Sequence, residues 1–140
     1  MFFGEYSYKV DEKGRAPLPP KFRRDMRDTV VLSRGVEKCI VAYSLAEWTK
    51  VAESLSSKAM GPASSRRINR SIFGSAFSVS FDKQGRVILP PTLREYAEIK
   101  DGVIVVGVNN SVELWDSELW EAEKQKSNEQ VSQMIESSEA

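Results

Sequence analysis

A short segment occurs twice in this chain, and the repetition limits the possible folds more than any other feature. "DEKGRAPLPPKFR" begins at Asp11, and "DKQGRVILPPTLR" begins at Asp82, 71 positions later (82 − 11 = 71). The copies share Asp, Gly, Arg, Leu, Pro, Pro and a final Arg. Further on, "VAYSLAEW" aligns with "ELWDSELW" after one inserted residue, so that Trp48 corresponds to Trp120 (120 − 48 = 72). Two copies of one module therefore fill most of the 140 residues.

Each copy predicts a strand, a tight turn, a second strand, a short helix, and then a hairpin followed by another helix. "YSYKV" and "AFSVSF" alternate apolar and polar residues, which indicates half-buried strands. Asp11 and Asp82 open the turns, since such an Asp accepts from nearby backbone N–H groups. Gly14 and Gly85 supply the positive φ that completes each reversal. The Leu-Pro-Pro that follows ends the strand and begins a short helix.

The remaining segments predict helices of different character. Ser44 and Glu47 form a capping box, followed by an apolar stripe that we expect to be core. The stripe comprises Leu45, Trp48, Val51, Ala52 and Leu55. "SRRINRSIF" predicts a short basic helix, and the polar stretch after Trp120 predicts a helix that frays into a disordered tail.

The expected domain organisation follows from these segments. Residues 1–59 form the first repeat, 60–72 a linker with the short basic helix, 73–122 the second repeat, and 123–140 a polar C-terminal tail. We expect the core to contain Leu18, Phe22, Trp48, Leu89, Leu93 and Trp120, and to hold no ligand.

Composition excludes several functional classes. The chain has no His, and its single Cys39 lies in the apolar run "KCIVAY", which indicates a buried structural thiol. Neither a metal site nor a cofactor site is predicted. The chain lacks His, paired Cys and a Gly-rich phosphate loop, and turn geometry accounts for the best carboxylates, Asp11 and Asp82, so we expect no enzyme. No apolar stretch suits a membrane span, and "MFFGEYSYKV" does not read as a signal peptide, so we expect a cytoplasmic protein. Residues 1–70 hold 14 Lys and Arg against 8 Asp and Glu, and the second half reverses this balance.

The repeated motifs resemble those of the MraZ family, bacterial regulators built from two AbrB-like repeats. The resemblance rests on "MFFGEYSYKVDEKGRAPLPPKFR", "DKQGRVILPPTLR", "RRINRSIFGSA" and the twin "YSLAEW" and "WDSELW" segments, and it covers about residues 1–120. It implies a mainly β fold with short helices (α+β), in which two swapped-hairpin β-barrel repeats form an internal pseudo-dimer. It also implies a ring-shaped homo-oligomer, an octamer by resemblance, associated with the nucleoid. The implied function is control of the division and cell-wall gene cluster through tandem promoter repeats in double-stranded DNA.

With this resemblance, the two Asp-x-x-Gly-Arg turns become the candidate DNA contacts. Arg15 and Arg86 follow the turn glycines and are expected to emerge beside the loop tips, restrained by Asp11 and Asp82. Lys13 adds a positive charge to the first turn, whereas the aligned Gln84 adds none to the second, so we expect the first turn to matter at least as much.

Two questions stay open from the sequence. Arg66, Arg67 and Arg70 suit a subunit contact, a solvated face or a secondary DNA contact. The alternative function is an AbrB-like antitoxin or protein-binding assembly module, although two whole repeats and a short tail favour the regulator.

Pro17 stands where the second copy has Ile88, so the second strand of the first repeat is expected to be an edge strand or to carry a bulge.

Overall fold

The computed structural model describes residues 1–58 and 60–139. The first repeat contains β1 (Phe2–Lys9), β2 (Arg15–Pro17), α1 (Pro20–Met26), β3 (Thr29–Arg34), β4 (Ile40–Ser44) and α2 (Leu45–Ser57). The linker forms α3 (Pro62–Ile68), which continues into a π-helical turn (Asn69–Phe73). The second repeat contains β5 (Phe77–Ser80), β6 (Arg86–Ile88), α4 (Pro91–Tyr96), β7 (Gly102–Asn109), β8 (Val112–Asp116) and α5 (Ser117–Glu139).

The strand order shows that the two repeats exchange their first strands. The main sheet runs β1-β7-β8-β4-β3-β5, so β1 of the first repeat pairs with β7 of the second, and β5 pairs with β3. The remaining strands, β2 and β6, form a two-stranded antiparallel sheet of their own. Val41 lies opposite Glu113 and Ala16 opposite Val87, which places these equivalent pairs on the pseudo-twofold axis. The chain is thus an internal pseudo-dimer, as the family resemblance implies.

The mainly β class with short helices and two repeats is confirmed, but the main sheet is open. Within the described residues, hydrogen-bonded pairing ends at β1 on one side and at β5 on the other. The strands therefore wrap around a shared core without closing into a hydrogen-bonded barrel.

One apolar core joins the two repeats. Leu18 and Phe22 from the first repeat and Leu89 and Leu93 from the second are at most 2% exposed and belong to a single cluster. The Phe22 ring also packs edge-on against Phe2, at a centroid distance of 5.4 Å. Because each repeat supplies part of the same core, neither buries its apolar face alone.

Two of the expected core residues lie elsewhere. Trp120 packs against Trp115 in a smaller cluster on the other face of the sheet, and Trp48 packs against Tyr43 and Phe73. Both indoles are only partly buried. Their helices lie outside the core shared by the repeats, so the prediction that these side chains fill it is wrong.

The apolar stripe of α2 is also not core. None of the residues of this helix is buried, and Leu45 is 57% exposed. The cap itself is present, because the Ser44 hydroxyl accepts from the Glu47 N–H at 3.2 Å. The helical spacing therefore predicts the helix correctly and its burial incorrectly.

The polar stretch after Trp120 is helical as far as Glu139, instead of fraying into a disordered tail. The Asp116 carboxylate accepts from the N–H groups of Glu118 and Leu119, which caps α5 at its start. No Gly or Pro interrupts residues 117–139, so nothing in the backbone ends the helix early.

Candidate nucleic-acid interface at the paired turns

The first turn is organised around the Asp11 carboxylate. Its Oδ1 accepts from the Lys13 N–H at 3.0 Å and from the Arg15 N–H at 2.9 Å. Its Oδ2 accepts from Arg15 Nε at 2.6 Å, which forms the expected ion pair. Gly14 has φ 78° and donates its N–H to the Asp11 carbonyl, closing the turn.

The second turn repeats this geometry. Asp82 Oδ1 accepts from the N–H groups of Gln84 and Arg86 at 2.9 Å each, and Arg86 Nε donates to Oδ2 at 2.9 Å. Gly85 has φ 77°. Hydrogen bonds from the Arg15 and Arg86 backbone N–H groups are the main reason that the pKa values of Asp11 and Asp82 are lowered, with smaller contributions from the guanidinium groups. Both carboxyl groups therefore stay ionised to a lower pH than an ordinary Asp does.

Pairing of β2 with β6 brings the two turns together. The Gly14 carbonyl accepts from the Leu89 N–H at 2.8 Å, and the Gly85 carbonyl accepts from the Leu18 N–H at 3.3 Å. Arg86 Nη1 also donates to Asp11 Oδ2 at 3.3 Å, so one guanidinium links both carboxylates. The turns form one cluster of two Asp and two Arg, which we call the paired turns.

The two arginines are less free than the sequence suggests. The side chains of Arg15 and Arg86 are 28% and 24% exposed, and each is held by at least one carboxylate. Among the described residues, neither Nη atom of Arg15 makes a hydrogen bond. Of the two Nη atoms of Arg86, only Nη1 makes one in the same part of the chain. Each guanidinium therefore keeps N–H donors for an external acceptor while its orientation is fixed.

Exposed lysines flank both turns. Lys13 belongs to the first, and Lys83, which is not among the contacts predicted from the sequence, belongs to the second. Lys83 occupies the position of Glu12, a difference visible in the aligned motifs. The second turn is consequently the more positive of the two, so charge gives no reason to expect the first turn to matter at least as much.

Two further arginines lie beside the turn glycines, but only Arg23 packs tightly against its glycine, Gly85. Arg23 donates through Nη1 to the Leu18 carbonyl at 2.8 Å, and its guanidinium lies so close to Gly85 that an added Cβ would collide with it. Arg94, at the equivalent position, donates to the carbonyls of Ile99 and Lys100. Arg23 and Arg94 are the final Arg of the two motif copies, so the repeated motif could have marked both positions.

Arg66, Arg67 and Arg70 are exposed on α3 and the π-helical turn. Among the described residues, no hydrogen bond or ion pair joins these side chains to the paired turns. The structure therefore does not bring the linker arginines and the turns into one site.

Cys39, 1% exposed, is buried as predicted, and burial raises the pKa of its thiol strongly, so it is not a ready nucleophile. Across residues 1–58 and 60–139, no group of three or more His, Cys, Asp or Glu side chains could hold a metal ion. In the same part of the chain, no helix combines the length and apolar character required to cross a membrane.

Fold and site together define a duplicated, strand-exchanged protein in which two Asp–Arg turns meet beside the pseudo-twofold axis. The sequence profile described as "MraZ protein, putative antitoxin-like" matches residues 1–71 and again residues 72–138. The chain is 54% identical over 140 residues to the "Transcriptional regulator MraZ" of Dehalococcoides mccartyi strain 195, with 99% of each chain covered. The protein of the same name from strain BAV1 shows the same identity and coverage. The chain belongs to the MraZ family.

Proposed function

We propose that this chain is a sequence-specific DNA-binding transcriptional regulator whose paired turns contact the DNA. Family membership and the relatives named as transcriptional regulators support the regulatory role. The observation that carries the binding surface is the cluster of Asp11, Arg15, Asp82 and Arg86, assembled from both repeats by the β2–β6 pairing. Residues 1–59 and 73–122 act as the two binding repeats, residues 60–72 join them, and residues 123–140 extend beyond them.

The chemistry of the paired turns suits a duplex. A planar guanidinium binds a phosphate in bidentate fashion or reads the O6 and N7 atoms of guanine. Holding Arg15 and Arg86 by carboxylates before binding reduces the side-chain entropy that binding costs. Exposed Lys13 and Lys83 add charge that attracts the phosphate backbone.

The targets are tandem promoter repeats upstream of the division and cell-wall gene cluster. A ring-shaped homo-oligomer of this cytoplasmic protein binds them in the nucleoid. A ring presents several identical surfaces, so that weak contacts with successive repeats add through effective concentration. Removing one Arg from every subunit should therefore cost more on a multi-repeat operator than on a single repeat.

A second candidate is an antitoxin-like or protein-binding module. The words "putative antitoxin-like" in the family description favour it. The two candidates differ in the ligand of the paired turns, which would be a protein partner in the second case.

The deciding experiment is a fluorescence-anisotropy titration of a labelled duplex from upstream of the organism's own division cluster. The test protein is the Arg15→Gln/Arg86→Gln double variant. Lys58→Ala/Lys126→Ala is the control, because it removes two exposed positive charges outside the turns. If an Arg reads a base, its loss should weaken duplex binding by about 1–3 kcal/mol. If it binds only phosphate, the dependence of the binding constant on salt concentration should fall by about one unit of slope for each lost contact. The control should retain the wild-type preference over a scrambled duplex.

Unimpaired operator binding by the folded double variant would refute the role of the paired turns. Attention would then pass to Arg66, Arg67 and Arg70 as the DNA contacts. Single Arg15→Lys and Arg86→Lys variants keep the charge and remove the planar fork, so they separate attraction from recognition.

A further inference from the structure

A pocket lies where the linker meets the second repeat, away from the residues of the paired turns. Its cavity volume is about 430 Å³, and it lies between β3, the π-helical turn, β5 and α4. The polar lining includes Arg34, Arg70, Ser71 and Tyr96. Phe77, 41% exposed, gives it an apolar side. The pocket therefore combines positive charge, hydroxyl groups and an apolar surface.

Arg34 is a partly buried cation without a carboxylate partner among the described residues. Nη1 donates to Ser71 Oγ at 2.9 Å and Nη2 to Tyr96 Oη at 3.1 Å, while the guanidinium lies 4.5 Å from the centre of the Tyr96 ring. Its Nε is shielded from solvent and has no hydrogen-bond partner in the described part of the chain. A guanidinium placed in this way is normally paired, because burying an unpaired charge is costly.

Arg70 places a second positive charge at the same pocket. It is exposed, and none of the ion pairs in the described residues involves it. Arg70 and Ser71 both belong to the π-helical turn Asn69–Phe73. Such turns are rare and frequently occur at functional sites, where they redirect side chains.

Neither Arg34 nor Tyr96 has a counterpart in the other repeat, although the Tyr96 hydroxyl also donates to the Gly35 carbonyl at 2.8 Å. Val30 pairs with Val79 and Val103 with Tyr8, so β3 and β7 are equivalent with an offset of 73 residues. The position of Arg34 is then taken by Gly107 in the second repeat (34 + 73 = 107). Tyr96 corresponds to Asp25 in the first repeat through the motif offset (96 − 71 = 25). At the pseudo-symmetric position the described chain has Gly107 and Asp25 in place of Arg34 and Tyr96, so the same set of side chains is not repeated there.

We propose that this pocket binds a small organic phosphate monoester. The phosphate group lies between the guanidinium groups of Arg34 and Arg70, and the organic part packs on the exposed side of the Phe77 ring. A phosphate monoester suits the site because it brings close to two negative charges and three acceptor oxygens, which match two guanidiniums and neighbouring hydroxyls. This binding would supply the negative charge that Arg34 lacks.

The test is isothermal titration of the full chain with phenyl phosphate, followed by titration of two matched variants. Arg70→Ala removes a charge from the pocket, and Arg66→Ala removes one from the exposed face of α3 nearby, outside the lining. We expect Arg70→Ala to weaken phenyl phosphate binding by about tenfold or more, the usual effect of removing a charge-assisted hydrogen bond. Arg66→Ala should change it by less than about twofold. Benzyl alcohol, which has the ring without the anion, should not bind.

Other outcomes would overturn the proposal. One is that the wild-type chain does not bind phenyl phosphate at millimolar concentration. Another is that Arg66→Ala and Arg70→Ala weaken phenyl phosphate binding equally, because the anion would then respond only to the overall positive charge of the surface. If phenyl phosphate does not bind but Arg70→Ala weakens duplex binding and lowers its salt slope, Arg70 is a DNA-backbone contact and the pocket is no ligand site. Arg34→Lys provides a second test: it keeps the charge but not the fork, so it should also weaken phenyl phosphate binding in a folded protein.

Discussion

At the scale of single residues, one carboxylate performs three tasks in each turn. Asp82 accepts from two backbone N–H groups and holds the guanidinium of Arg86, and Asp11 does the same for Arg15. Among the described residues, the only bond between the two Asp–Arg units is the one from Arg86 to Asp11, so the units are alike but not equivalent. Replacing Arg86 should therefore disturb both turns, whereas replacing Arg15 should disturb mainly its own.

The lowered pKa values of Asp11 and Asp82 predict a specific acid response. A carboxyl group with a depressed folded pKa contributes stability above its unfolded value, here 3.8, and loses it as the pH falls through the lower folded value. The Asp11→Asn/Asp82→Asn variant keeps oxygen acceptors for the turn but does not titrate. We expect its free energy of unfolding to fall less steeply than that of the wild type below about pH 4 in urea denaturation series.

A charge-matched control is Asp25→Asn/Asp28→Asn. Both carboxylates are exposed, and neither makes a side-chain hydrogen bond among the described residues. This variant should follow the wild-type acid response. Identical slopes for the wild type and the turn variant would mean that the turn hydrogen bonds do not couple to folding.

At the scale of elements, alternation along β6 separates its structural and exposed faces. Val87 and Leu89 point into the core and are at most 2% exposed, while Ile88 between them is 56% exposed. The strand and the residue after it thus anchor the second turn through the core. Both repeats also begin their last helix with an equivalent capping residue. The side chains of Ser44 and Asp116 accept from backbone N–H groups in the first turns of α2 and α5.

Replacing Leu89 by Ala should destabilise the chain by about 2–5 kcal/mol, because the change leaves a cavity in a packed core. Ile88→Ala removes a similar apolar side chain from the exposed face, and should alter stability by about 0.5 kcal/mol or less. Chemical denaturation monitored by circular dichroism measures both. Equal effects of the two changes would contradict the assignment of faces.

At the scale of the whole molecule, strand exchange leaves two open sheet edges in the described part of the chain. β1 carries Phe3, 62% exposed, and β5 carries Phe77, 41% exposed. Exposed edges with apolar side chains invite pairing with another chain unless they are covered. The β1 edge supports the proposed oligomer and indicates where copies would meet, whereas Phe77 on β5 lines the pocket proposed for the phosphate monoester.

Light scattering at micromolar concentration should give the mass of several subunits. Phe3→Lys should lower this mass, because it places a charge on the β1 edge. Val36→Lys, which changes a loop residue 92% exposed, should leave the mass unchanged. A monomeric wild-type chain would remove both the ring and the effective-concentration argument that depends on it.

The sequence by itself determined the local structures. Each turn, its Asp–Arg ion pair, its glycine and the following proline-initiated helix depend on contacts within four or five residues, so the repeated motif alone predicts them. The duplication likewise predicts two equivalent repeats. For the same reason, the capping residues predict where α2 begins.

The tertiary structure alone decided what lies against what. Strand exchange, the bond between Arg86 and Asp11 across 75 positions, and the pocket formed by Arg34 with the linker all join distant segments. Helical spacing could not show that the α2 stripe stays outside the core, because an apolar face is buried only if another element covers it. Local sequence sets backbone geometry within a few residues, whereas burial and the assembly of a site depend on contacts that only the folded chain creates.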